Sequence, residues 1–226
     1  MTAAWLGLAL YAEGPTDHRF LDRLLPRAVS HLLTGARYMV EVSEVQRLPV
    51  DRSPPARAER IATGAQRLQS AFHILFVHAD GGADPAAARS NNVAPGLQRV
   101  REHLGDAGRR GVAVVPVREL ETWVLADGAS LASVLGTTRT ATELGVPTTA
   151  GELEGLLDPK AVFAAAVRAA RPGRRHRRRP DPTSFLEPLG AQARIAELRR
   201  LPAFAALLKD LQVALGELGF SAAADA

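Results

Sequence analysis

Three short stretches of this chain are apolar almost throughout: Trp5 to Ala12, Phe72 to Val77, where His73 is the one polar residue, and Val112 to Val117. A strand with one solvated face alternates apolar and polar residues. One that is apolar throughout is covered on both sides, the signature of a parallel sheet sandwiched between helices. Tyr38 to Leu48 reads as a further strand, and its partial alternation of Val40, Val42 and Val45 suits a sheet edge.

Helical spacing fills the gaps. Phe20, Leu21, Leu24, Leu25, Val29 and Leu32 recur on one face between Asp17 and Leu33. Thr16 is placed to cap that helix, and Pro26 is expected to bend or interrupt it. Further helices are expected at Ala56–Gln69 and Val93–Leu104. Strands alternating with helices define an α/β fold with a mostly parallel sheet and helices on both faces.

After Gly128 the pattern becomes helical, with stretches near 129–135, 150–157, 159–170, 192–200 and 202–218. The expected organisation is an α/β domain over residues 1–128 and a helical extension over 129–226, carrying an Arg-rich loop at 171–182. At 226 residues there is room for little more.

Composition excludes several chemistries. The chain has no cysteine, which removes disulfides, thiolate metal sites and a cysteine nucleophile. His18, His31, His73 and His103 are scattered without zinc spacing, and no phosphate-loop, GxSxG or GxGxxG motif follows any strand. The first apolar run is too short to span a membrane and has no basic flank, so a cytoplasmic protein without membrane attachment is expected.

The acids are placed more pointedly. Glu13 and Asp17 follow the first apolar strand, Asp80 and Asp84 the second, Glu119 and Glu121 the third. In open α/β sheets ligands bind beyond the carboxyl ends of the strands, so the three clusters can converge there. Converging carboxylates repel unless a cation intervenes, and hard oxygen donors favour Mg²⁺ or Mn²⁺. Helix capping by Asp17, Glu119 or Glu121 is the competing explanation.

The EGPTD start, the HADGGAD loop, the ELETWVLAD segment and the TSFLEPLG…LPAF tail resemble the bacterial TOPRIM-like proteins of the domain-of-unknown-function 4276 family. These are related to the nucleases of the overcoming-lysogenization-defect group. The resemblance implies a TOPRIM-like sheet and a metal site built from Glu13, Asp80, Asp84, Glu119, Glu121 and His78, with Glu13, Asp80 and Glu121 catalytic. It implies a Mg²⁺- or Mn²⁺-dependent nuclease acting on DNA or RNA, in phage or plasmid defence beside an ATPase partner. His78 stands where the family's pattern has its first metal-binding aspartate, so a non-catalytic nucleic-acid-binding subunit is the alternative.

Basic residues fit either outcome. Arg174, Arg175, Arg177, Arg178 and Arg179 surround His176 in a Pro- and Gly-broken segment suited to phosphate contacts. Arg19 and Arg118 flank the acidic clusters and are candidates for steadying a phosphate. Trp5 and Trp123 are read as structural.

Overall fold

The computed structural model describes residues 4–36, 39–49, 56–105, 108–170 and 180–220. The α/β architecture is as expected. Strands β1 (Ala4–Tyr11), β2 (Val40–Arg47), β3 (Ile74–His78) and β4 (Arg110–Val114) form one parallel sheet in the order β2-β1-β3-β4. The half-exposed β2 lies at an edge, as its weak alternation implied.

The apolar strands are buried on both faces. Leu6, Leu8, Leu10, Ile74, Phe76, Val112 and Val114 point to the side covered by helix α1 (Pro15–Leu32). Ala9, Tyr11, Leu75, Val77 and Ala113 point to the other, covered by α2 (Arg57–Arg67) and α4 (Ala94–Leu104). A one-turn α3 (Pro85–Ala88) and a π-turn (Arg89–Val93) precede α4.

Helix α1 differs from its sequence reading at two points. Gly14, not Thr16, is the N-cap, and Pro15 occupies the first helical position, where its missing N–H costs nothing. Pro26 does not interrupt the helix. An internal proline costs about 3 kcal/mol. Leu24, Leu25, Ala28 and Val29 around it are fully buried, and each fully buried leucine or valine returns about 1.5–3 kcal/mol.

The helical half comprises α5 (Glu121–Ala126), α6 (Gly128–Leu135), α7 (Ala150–Glu154), α8 (Pro159–Ala169), α9 (Leu186–Gln192), α10 (Ile195–Leu198) and α11 (Pro202–Glu217). The helix expected over 192–200 is instead α9 and α10, which meet at Ala193 and Arg194 in extended conformations. These helices pack on the α1 side of the sheet, and one apolar cluster runs from Leu6 to Leu215. Trp123 is fully buried and meets Phe204 edge-on at 5.0 Å, whereas Trp5 is 44% exposed. Among the described residues no helix is long and apolar enough to cross a membrane.

Candidate active site

The chain leaves β1 toward β2 on one side and β3 lies on the other, so the sheet's topological switch point falls between β1 and β3. Their carboxyl ends open the crevice where α/β folds bind ligands. Just past β1, the Gly14 backbone N–H donates to Asp17 Oδ2 at 3.0 Å. That bond holds Asp17 back over the strand end instead of letting it project into solvent. Asp17 therefore caps, as one sequence reading held, and also faces the crevice.

His78 closes β3 and is 1% exposed. Its Nδ1 lies 3.7 Å from Asp17 Oδ2 and its Nε2 3.7 Å from Asp80 Oδ1, both too long for hydrogen bonds, and neither nitrogen has another partner. Burial pushes the imidazole down to about 4, against the opposing pull of Asp17. At neutral pH the ring is uncharged, so these contacts are not ion pairs.

The loops after β3 and β4 are laced together. The Gly81 N–H donates to Pro116 O at 3.0 Å, Gly82 N–H to Arg118 O at 3.1 Å and Arg118 N–H to Gly82 O at 2.9 Å. A Cβ on Gly81 would sit 2.1 Å from Pro116 O, so only glycine permits this approach. Arg118 takes the left-handed conformation at φ 60°, a strained state for a residue with a side chain. Such strain is the sort that collects at functional sites.

This lacing brings Glu119 and Glu121 beside Asp80. Burial, then Asp17, Glu119 and Glu121, raise the Asp80 carboxyl to about 6, against Lys160. Burial also raises Glu121, which is 8% exposed; Glu119 and Asp17 add to the shift, and Lys160 opposes it. Glu119 Oε2 is buried without a hydrogen-bond partner. Lys160, in the first turn of α8, places Nζ 3.8 Å from Glu119 Oε1 and 3.9 Å from Glu121 Oε1.

Four carboxylates from three strand ends thus share one electrostatic field. Asp80, Glu119, Glu121 and His78 come together; Asp17, counted in the acidic cluster after β1 and also weighed as a cap, joins them. Glu13 stands at the rim, 60% exposed and ion-paired with Arg57. Arg57 in turn donates to His78 O at 2.6 Å and lies 5.0 Å over the Tyr11 ring. Asp84 turns away to cap α3, accepting the Ala87 N–H at 2.9 Å.

Arg19 donates to Thr183 Oγ1 at 3.0 Å and to Thr183 O at 3.2 Å, tying the chain just after the Arg-rich segment to the start of α1. Arg174, Arg175, Arg177, Arg178 and Arg179 lie outside the described residues.

Sequence reasoning counted Asp17 among the converging acids but not in the metal set that the resemblance implied, and it left Arg57 and Lys160 out altogether. For Lys160 a signal existed, since lysine occurs only at 160 and 209 in a chain whose other basic residues are arginine and histidine. The donor set of hard oxygens and a neutral imidazole suits a divalent cation, and Glu119 Oε2 and both His78 nitrogens are left unsatisfied. Among the described residues, however, no three such side chains are yet gathered at ligating distance. Comparison with protein-family models, curated proteins and solved structures finds no match.

Proposed function

We propose that this protein is a TOPRIM-like, Mg²⁺- or Mn²⁺-dependent nuclease that hydrolyses phosphodiester bonds of DNA or RNA. The observation carrying this reading is the gathering of Asp17, Asp80, Glu119 and Glu121 from three strand ends beside the buried, unpartnered His78, with Asp80 and Glu121 both raised by burial and by neighbouring carboxylates. Such an arrangement is costly to keep unless a cation rewards it.

Asp17, Asp80, Glu119 and Glu121 would hold the ion, and Asp17 restores the carboxylate count that His78 lowers. When bound, the ion lowers the pKa of an attacking water and stabilises the departing oxyanion. His78, neutral and buried, keeps one nitrogen protonated and the other free to accept a proton. Arg118, next to Glu119, would steady the phosphate. Glu13 is restrained by Arg57 until substrate competes for that guanidinium.

The Arg-rich segment fits the same reading. It follows α8, whose first turn carries Lys160, and ends before Thr183, which Arg19 binds. Its arginines would neutralise phosphates of a bound nucleic-acid backbone. An ATPase partner and a role in phage or plasmid defence belong to the same proposal and rest on resemblance alone.

The test incubates the protein with supercoiled plasmid, single-stranded DNA and RNA in Mg²⁺ or Mn²⁺, alongside Glu13→Ala, Asp80→Ala and Glu121→Gln. Metal-dependent cleavage lost in Asp80→Ala and Glu121→Gln supports the proposal. No cleavage by the unaltered protein, or cleavage unchanged in every variant, overturns it. One observation favours the second reading, a binding subunit without catalysis: the Lys160 ammonium already stands beside Glu119 and Glu121. Salt-sensitive nucleic-acid binding without cleavage would support that reading.

A further inference from the structure

Lys160 reaches the acidic crevice from the helical half, whereas the acids come from the ends of the sheet. Its backbone is fixed. Asp158 caps α8 by accepting the Ala161 N–H at 2.8 Å, and Phe163, Ala166 and Val167 on the same helix are buried. Its side chain is not fixed: it is 64% exposed, and Nζ approaches both glutamates at charge-contact distance without a hydrogen bond. A compact ammonium on a flexible four-carbon stem can swing into water at little cost, which a bidentate arginine could not do.

The charges do not balance with Lys160 alone. Its ammonium is stabilised by Glu121, Glu119, Asp80 and Asp17 together, so one positive charge answers four carboxylates. On the far side Arg57 is committed to Glu13 and the His78 carbonyl. The buried imidazole of His78, with both nitrogens unpartnered, faces this same space and independently marks a place for a further ligand.

We propose that Lys160 is a tethered counter-ion that occupies the carboxylate crevice in the ion-free protein and that a divalent cation enters only by displacing it. This rests on reading the crevice as a divalent-ion site. The consequence is a built-in threshold: the site fills only when the free ion outcompetes an ammonium held at high local concentration by α8.

The test is a Mn²⁺ titration of the full chain at pH 7.5, with free ion followed by electron paramagnetic resonance. The proteins compared are unaltered, Lys160→Met, Lys160→Arg and Asp80→Asn. Removing one unit charge about 4 Å from the ligating oxygens should tighten Mn²⁺ binding in Lys160→Met by about tenfold or more. Lys160→Arg keeps the charge on a side chain that leaves less easily, so it should bind Mn²⁺ no more tightly than the unaltered protein. Asp80→Asn should bind more weakly. Equal or weaker affinity in Lys160→Met overturns the counter-ion role while leaving the ion site standing. No Mn²⁺ binding in any of the four overturns the ion site, and the counter-ion role with it.

Discussion

Arg194 grips Asp127 with two nitrogens, Nε 2.9 Å from Oδ2 and Nη2 2.6 Å from Oδ1, across 67 residues of sequence. The Arg194 backbone N–H adds a third bond to Oδ2 at 2.9 Å, and Ser130 Oγ a fourth at 2.7 Å. Asp127 is 1% exposed and, through its bond from the Ser130 N–H, caps α6. This clasp fastens α10 to the junction between the sheet and the helical half.

Asp127→Asn keeps the shape and removes the charge. Hydrogen bonds to charged groups are each worth about 1.5–3 kcal/mol, and most of them survive weakened, so a loss of about 2 kcal/mol is expected. For a chain of this size that lowers the thermal midpoint by about 4–8 °C, measurable by calorimetry. The pH dependence has a defined sign. The Arg194 and Ser130 hydrogen bonds outweigh burial and hold the Asp127 carboxyl well below the usual carboxylate range. Its contribution is therefore complete above about pH 4 and is shed as the solution is acidified further. The unaltered protein should lose this advantage over Asp127→Asn below about pH 3.

Asp80 titrates in the opposite sense. Its carboxyl is raised to about 6, so the folded protein retains a proton that the unfolded chain has released. The stability this brings is complete below about pH 4 and disappears as pH rises through about 6. Asp80→Asn should therefore be more stable than the unaltered protein at pH 8, by about 1 kcal/mol after water screening of a half-exposed group, and should show no gain at pH 4. His78, lowered to about 4, loses stability as pH falls from about 6.5. The two effects overlap, so the difference between variant and parent isolates Asp80.

Gly81→Ala should disturb the acidic loop without touching an acid. The new methyl would collide with Pro116 O, and such overpacking costs about 1–3 kcal/mol. Under the proposed function, cleavage should fall at least about tenfold, since a displacement near 1 Å can cost a hundredfold. A variant that melts lower but cleaves normally would show that the lacing of the two loops does not align the carboxylates.

Arg118→Gly should separate strain from function. A non-glycine residue in the left-handed region costs about 1–2 kcal/mol, which glycine recovers in part. The expected result is a higher thermal midpoint together with weaker, less salt-dependent binding of a DNA oligonucleotide. A midpoint gain with unchanged binding would remove Arg118 from the phosphate-contacting set.

The sheet was legible because burial on both faces writes itself into sequence as runs that are apolar almost throughout. Its boundaries were less so. β3 begins at Ile74, two residues later than the run Phe72 to Val77, because His73 breaks the run and hydrogen-bonds across to Gly7. β4 begins at Arg110, ahead of its apolar run, because the Arg110 N–H donates to His73 O at 2.8 Å and so extends the ladder with β3, while its side chain pairs with Glu217. The three acidic clusters could be found by position after strands. Which acid turned inward was decided by local bonds, such as Asp84 to Ala87 and Glu13 to Arg57, that composition does not encode. The rarity of lysine singled Lys160 out, but nothing in the sequence showed that the first turn of α8 would lie against the ends of the sheet.

The apolar cluster shared by Leu6 and Leu215 makes the two halves of the chain interdependent. Severing the backbone after Gly128 would strip α1 and one side of the sheet of their cover, leaving a greasy slab instead of a smaller working protein. Selection on either part is therefore felt by the other, and the chain should melt in a single step.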